Sequence, residues 1–190
     1  MPAVGQELEP RLYSNAPPGV NFIVAGYGHS EGSVLPDPSV GIENAQLEID
    51  GPVVGYARTL AIAGDSAQAA VAIGHVCLDG SANYAGQRFT RDVCGWSDAR
   101  VRLAWNFFGA PSMSMREFAA YRQDMIIGAS VTINVPVGNY DPSRLANIGA
   151  NRWAFKAETG ISKAIARWTL ELSGGAAFFE ANKDFFGGRV

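Results

Sequence analysis

Asp124-Met-Ile-Ile-Gly-Ala-Ser-Val-Thr-Ile-Asn-Val135 alternates along its whole length. Met125, Ile127, Ala129, Val131, Ile133 and Val135 fall on one parity. Asp124, Gly128, Ser130, Thr132 and Asn134 fall on the other, with Ile126 the exception. A period of two means a β-strand with one apolar and one polar face. An ordinary strand runs about 5–6 residues, whereas one that crosses a bilayer needs about 9–11. This stretch has the length of a membrane strand.

Two other stretches repeat the pattern. Val101, Leu103, Trp105 and Phe107 alternate with Arg100, Arg102, Ala104 and Asn106. Trp168, Leu170, Leu172, Gly174, Ala176 and Phe178 alternate with Thr169, Glu171, Ser173, Gly175 and Ala177. One face suits lipid and the other water. The fold class read from them is all-β, an antiparallel up-and-down transmembrane β-barrel. A soluble β-sandwich also has one dry face and competes with this reading.

Composition narrows the field. The chain has 190 residues, enough for one domain. Lysine and arginine total 15 and the net charge is −3, which argues against a nucleic-acid partner. Hydrophobic content of 47% is ordinary for a globular protein. No run of apolar residues is long enough for a transmembrane helix. The N-terminus lacks the basic and apolar regions of a signal peptide. Read literally this places the chain in the cytosol; the reading preferred is a mature or truncated segment of a longer frame.

Cys77 and Cys94 flank one predicted loop. A disulfide between them fits an oxidising periplasm or cell surface; the alternative is two unrelated thiols. They have no zinc-ligand company, so no metal is expected.

Taken in order, residues 1–18 read as a leader without packed structure of its own, and 19–190 as a partial barrel domain. Strands are expected at Val20–Gly28, Glu43–Thr59, Gln68–Leu78, Ala99–Phe108, Asp124–Val135, Arg152–Ser162 and from Trp168 to about Phe179. Long loops are expected at His29–Gly41, Asp79–Asp98 and Pro136–Asn151. Shorter connections fall between, one with a helix capping box at Ser114-Met-Arg-Glu117. Long loops alternating with short turns are what outer-membrane barrels show. Trp153, Phe155 and Phe178 lie near one end of their strands and Trp105, Phe107 and Trp168 near the other, all on the apolar parity. Two aromatic girdles belong to a membrane with two interfaces. About seven strands is an odd number, and bacterial single-chain barrels close on an even one, so the barrel is expected to be incomplete.

Some stretches also resemble a known family. Arg11-Leu-Tyr-Ser-Asn-Ala-Pro17, Asn106-Phe-Phe-Gly-Ala-Pro111 and Pro136-Val-Gly-Asn-Tyr-Asp-Pro-Ser-Arg-Leu-Ala-Asn-Ile-Gly-Ala-Asn-Arg-Trp153 are three parts of the resemblance. Gly160-Ile-Ser-Lys163 and Trp168-Thr-Leu-Glu171 complete it. They resemble the bacterial outer-membrane transporter family of the MetA-pathway of phenol degradation. The resemblance runs from about residue 8 to the end. It implies an outer-membrane barrel passing hydrophobic or aromatic compounds inward, without a cofactor. Members carry a signal peptide and further strands, so the resemblance implies that this sequence is a segment of a longer reading frame.

No catalytic constellation stands out. His29 and His75 have no nucleophile motif beside them, so an enzyme is not expected. Gly26-Tyr-Gly28 is a lone fragment of a phosphate-loop pattern. Strand parity makes Glu48, Asp50, Arg58, Arg100, Arg102, Asp124, Lys156, Glu158 and Glu171 the candidates to line the lumen. They would either pair into a salt-bridged plug or line a polar pore. Asn139, Tyr140, Arg144, Asn147 and Asn151 are the candidates for recognition, since loops on a rigid scaffold carry function; they equally suit tight turns. Phe185 and Phe186 could contact an apolar ligand or pack on further strands. The expected partners are the lipid bilayer and small apolar or aromatic solutes. The competing functional readings are a surface-binding barrel with a plugged lumen and a soluble binding domain.

Overall fold

The computed structural model describes residues 12–34, 42–84 and 86–184. Phe185 and Phe186 lie outside these. The strands are β1 (Asn21–Val34), β2 (Ile42–Ile62), β3 (Asp65–Tyr84), β4 (Gln87–Trp96), β5 (Ala99–Phe108), β6 (Met125–Val135), β7 (Ala154–Ile165) and β8 (Trp168–Phe179). One short helix, α1 (Met115–Ala120), sits between β5 and β6. Neighbouring strands are antiparallel, in the order β1-β2-β3-β5-β6-β7-β8. β4 pairs only with the far half of β3, from His75 to Tyr84, while β5 takes the near half, from Ala67 to Ala72. β4 and β5 therefore occupy one position, bent at Ser97-Asp98. The described sheet is a curled half-barrel seven positions wide.

The long loops expected at His29–Gly41 and Asp79–Asp98 are corrected here. Much of each is strand: β1 continues to Val34, β3 to Tyr84, and β4 covers Gln87–Trp96. β2 has 21 residues and β3 has 20, about twice a membrane crossing. The outer halves of these strands carry Glu31, Glu48, Asp50, Asp79 and Asp92. On β1, β3 and β4 the face opposite these acids mixes Ser30, Gly32, Gly80 and Arg91 with Leu78 and Val93, so the alternation that reveals a half-buried strand is weak.

Burial is inverted relative to a soluble sheet. Val101, Leu103, Phe107, Val131, Phe155, Leu170, Leu172 and Phe178 share the convex face and are exposed. The buried residues Ala104, Asn106, Ile126, Ser130 and Ser162 lie on the concave face. An apolar band turned outward and a mixed interior are what a bilayer selects. The hairpin between β2 and β3 needs only Ala63 and Gly64, both at positive φ (52° and 90°), the geometry that matches strand twist. At the same end α1 begins with the expected capping box: the Ser114 hydroxyl accepts from the Glu117 amide, and Glu117 accepts from the Ser114 amide. The Ser114 amide and hydroxyl both donate to the Glu117 carboxylate and hold it below its usual range. Ser114→Ala should cost about 1 kcal/mol of local helix stability, seen as faster amide exchange at Glu117 and Phe118.

Candidate functional site

The concave face is built by register. Arg102 on β5 stands opposite Thr132 on β6, which stands opposite Lys156 on β7. The next row holds Ala104, Ser130 and Glu158. Arg100 stands opposite Asn134 one row outward, and Glu171 on β8 stands opposite Ser162 nearer the turn end. Arg100, Arg102, Lys156, Glu158 and Glu171 thus share the concave face. Lys156 Nζ lies 3.0 Å from Glu158 Oε2. Arg102 Nη2 donates to Gln68 Oε1 at 3.4 Å. Ser162 Oγ donates to Glu171 Oε1 at 3.3 Å. The basic groups cluster on the outer side of this face, and carboxylates lie further toward the short turns.

Four other candidates are placed differently, and the parity reading is corrected for them. Asp50, on the β2 parity of Glu48 and Arg58, stands opposite His29 and Cys77 and accepts from the Tyr27 hydroxyl. Arg58 stands opposite Ala69, which stands opposite Leu103, so it belongs to the convex face. Glu48 has the same β2 parity and stands opposite Asp79 and Glu31 beyond the apolar band, with His29 3.7 Å away. The parity reading took the polar side of β2 as inward. Its inward side is Gly55, Ala57 and Thr59, small residues that leave room for a segment crossing the interior. Asp124 lies just before β6 at the rim, ion-paired with Lys163.

That crossing segment is the N-terminal one, which sequence reasoning left unpacked. Residues 12–20 run across the concave face as a strap. The Tyr13 ring rests on Gly128 and Gly160, which face each other on β6 and β7. A Cβ on Gly128 would lie 2.4 Å from the ring, and one on Gly160 would lie 2.2 Å from it. Tyr13 is buried with Ala110 and Ile126, and its hydroxyl donates to Glu158 Oε1 at 3.4 Å. Asn106 on β5 donates to the Ser14 carbonyl at 3.1 Å. Asn15 donates to the Pro111 carbonyl at 3.1 Å. The Thr59 hydroxyl donates to the Pro17 carbonyl, and the Val20 amide donates to that hydroxyl at 2.9 Å. The strap therefore spans the interior from β7 to β1. The available signal was the concave-face Gly128–Gly160 pair, since facing glycines mark a close approach of other groups.

The loop after β6 is internally bonded. The Trp96 amide donates to Asn139 Oδ1 at 2.6 Å. Asn182 Nδ2 donates to the Tyr140 hydroxyl at 2.9 Å, and Asn151 donates to Asn182 Oδ1 at 3.2 Å. Asn147 exchanges bonds with the Asp141 backbone at 2.9 and 3.0 Å. Arg144 Nε lies 3.8 Å from Asp141 and is well exposed. The loop thus ties the β4–β5 bend to the segment after β8. The Ser143 hydroxyl and amide hold the Asp141 carboxyl below its usual range. A lowered folded-state pKa means the anchor is complete above the ordinary carboxylate pKa of about 4 and is lost only on acidification through the lower value.

Sequence reasoning also missed Asp98. Its carboxylate accepts from the Gly138 amide at 3.0 Å and the Ala150 amide at 2.8 Å, clamping both ends of the loop. Hydrogen bonds to a charged group are worth about 1.5–3 kcal/mol. Asp98→Ala should release the loop, seen as rapid tryptic cleavage after Arg144. Cys77 and Cys94 face each other on β3 and β4 and are bonded, with an S–S distance of 2.00 Å.

A curled antiparallel sheet with an apolar convex face and a polar concave one defines a segment of a transmembrane β-barrel. The family model described as "Putative MetA-pathway of phenol degradation" matches residues 28–186. The chain belongs to that family. Its fold is also similar to the crystal structure of an outer membrane channel from Pseudomonas putida F1, with a TM-score of 0.67 and 18% identity. The match covers 95% of this chain and 64% of that one, so the chain spans about two thirds of the channel's length. No curated protein matches.

Proposed function

We propose that the chain is part of the wall of an outer-membrane channel through which small solutes diffuse passively. The observation that carries this reading is the division of the sheet. Leu103, Val131 and Phe155 face outward, while Arg100, Arg102, Lys156, Glu158 and Glu171 face a shared interior. Passive passage through such a lumen needs neither a cofactor nor an energy source. The family's phenol-degradation label supports small aromatic compounds as the cargo. The loop residues Asn139, Tyr140, Asn147 and Asn151 serve as frame, and Arg144 is the loop side chain that meets an arriving solute.

The test is planar-bilayer recording of the full natural protein. Arg102→Glu should move the reversal potential toward cation preference, because it exchanges a fixed charge on the lumen wall. Unchanged selectivity would sink the pore-lining role. The strap favours a second reading, a surface-binding barrel whose lumen stays shut. Absence of any single-channel current from the natural protein and all its variants would support that one.

A further inference from the structure

We propose that the lumen selects organic anions with an apolar body, of which an aromatic carboxylate is the simplest. This rests on the channel reading. Above the apolar band the wall inverts its polarity. Glu31, Glu48, Asp79 and Asp92 stand there on the convex face of β1 to β4, in one row of cross-strand partners. The concave face of β2 and β3 at that height carries aliphatic side chains and glycine. Leu47 and Leu78 flank Gly80, where an added Cβ would lie 3.2 Å and 3.7 Å from them. Further in, Val53 and Val76 flank Gly74 in the same way, at 3.2 Å and 3.4 Å. Glycine therefore forms the floor of a lane with aliphatic sides.

The lane ends on the cationic rows. Val53 pairs with Gly74, and in the next concave row Gly55 pairs with Ala72, which stands opposite Arg100. β2 and β5 both pair with β3, so Val53 and Arg100 lie two strand spacings apart, about 10 Å. That gap is wide enough for one aromatic ring. Arg102 and Lys156 follow one row further in. Outward of Glu158, every charged concave side chain among the described residues of β5 to β7 is basic. A solute with a ring and a carboxylate matches both surfaces at once. The ring gains by covering Val53 and Val76, and the carboxylate accepts charge-assisted hydrogen bonds at the foot of the lane. A neutral aromatic compound gains only the first, and acetate only the second.

The experiment records the chloride current of the full natural protein in planar bilayers while benzoate, acetate or benzyl alcohol is added. Benzoate should block at a concentration about tenfold below acetate, the effect of covering part of a ring. Benzyl alcohol should leave the current unchanged over the benzoate range. Arg100→Gln should raise the half-blocking concentration of benzoate about tenfold, because a charged acceptor loses a charged donor. Val53→Ser should narrow the benzoate-over-acetate preference about threefold or more. Arg58→Gln removes the same charge from the convex face and should match the natural protein. Heat-modifiable gel mobility checks that each variant folds. If the natural protein conducts and benzoate acts no more strongly than acetate or benzyl alcohol, the lane does not select organic anions and the channel reading stands. The same follows if folded Arg100→Gln or Val53→Ser protein is blocked like the natural one. If neither the natural protein nor any variant conducts, the channel reading itself fails, and the inference with it.

Discussion

Val131→Arg should destabilise the barrel in a bilayer by about 2–4 kcal/mol, the cost of a cationic side chain facing lipid near mid-depth. Val131 lies mid-strand on β6, on the exposed convex face, between Leu103 and Ala157. The adjacent Thr132 lies between Arg102 and Lys156 on the concave face. Thr132→Arg should therefore cost much less, although it crowds two existing cations. Reversible urea unfolding in lipid vesicles measures both. The pair differs by one residue in sequence and by the whole thickness of the wall in environment. Equal costs would mean that lipid does not cover the convex face.

The second large effect is expected at Gly109, where β5 ends. Its φ is +75°, and an added Cβ would lie 1.8 Å from the Met125 carbonyl oxygen. A left-handed alanine alone costs about 1–2 kcal/mol. The overlap here is with backbone at the start of β6, so relief requires moving a strand that pairs on both sides. Gly109→Ala should abolish most folding into vesicles, read as loss of the heat-modifiable gel band. Gly64→Ala is the control: its φ is also positive, but open space surrounds the new Cβ. It should lose only the conformational part.

The sequence was legible wherever one face of a strand meets lipid. β5, β6 and β8 were found nearly to the residue, because Val101 to Phe107, Met125 to Val135 and Trp168 to Phe178 alternate cleanly. The capping box at Ser114 and Glu117 was legible because it is a local motif with fixed spacing. The outer halves of β1 and β3, and all of β4, were not legible. There the face opposite the acids mixes glycine and polar residues with Leu78 and Val93, and period two carries little contrast. Parity found the concave face on β5 to β8, where polar residues line it. It failed on β2, where the interior side is small and the charged Arg58 points away. The strap was hidden for another reason. Tyr13 and Gly128 are far apart in sequence, and no periodicity links a proline-bearing leader to the floor it crosses.

The most direct test is quenching of a fluorophore attached to single cysteines along β6 in lipid vesicles. Cys77 and Cys94 are bonded to each other, so an added cysteine reports alone. Labels at Val131→Cys and Ile133→Cys should be quenched by brominated lipid and shielded from aqueous iodide. Labels at Thr132→Cys and Asn134→Cys should show the reverse. Protection of all four positions from lipid would contradict a membrane-spanning sheet and return the chain to the class of soluble β-sandwiches.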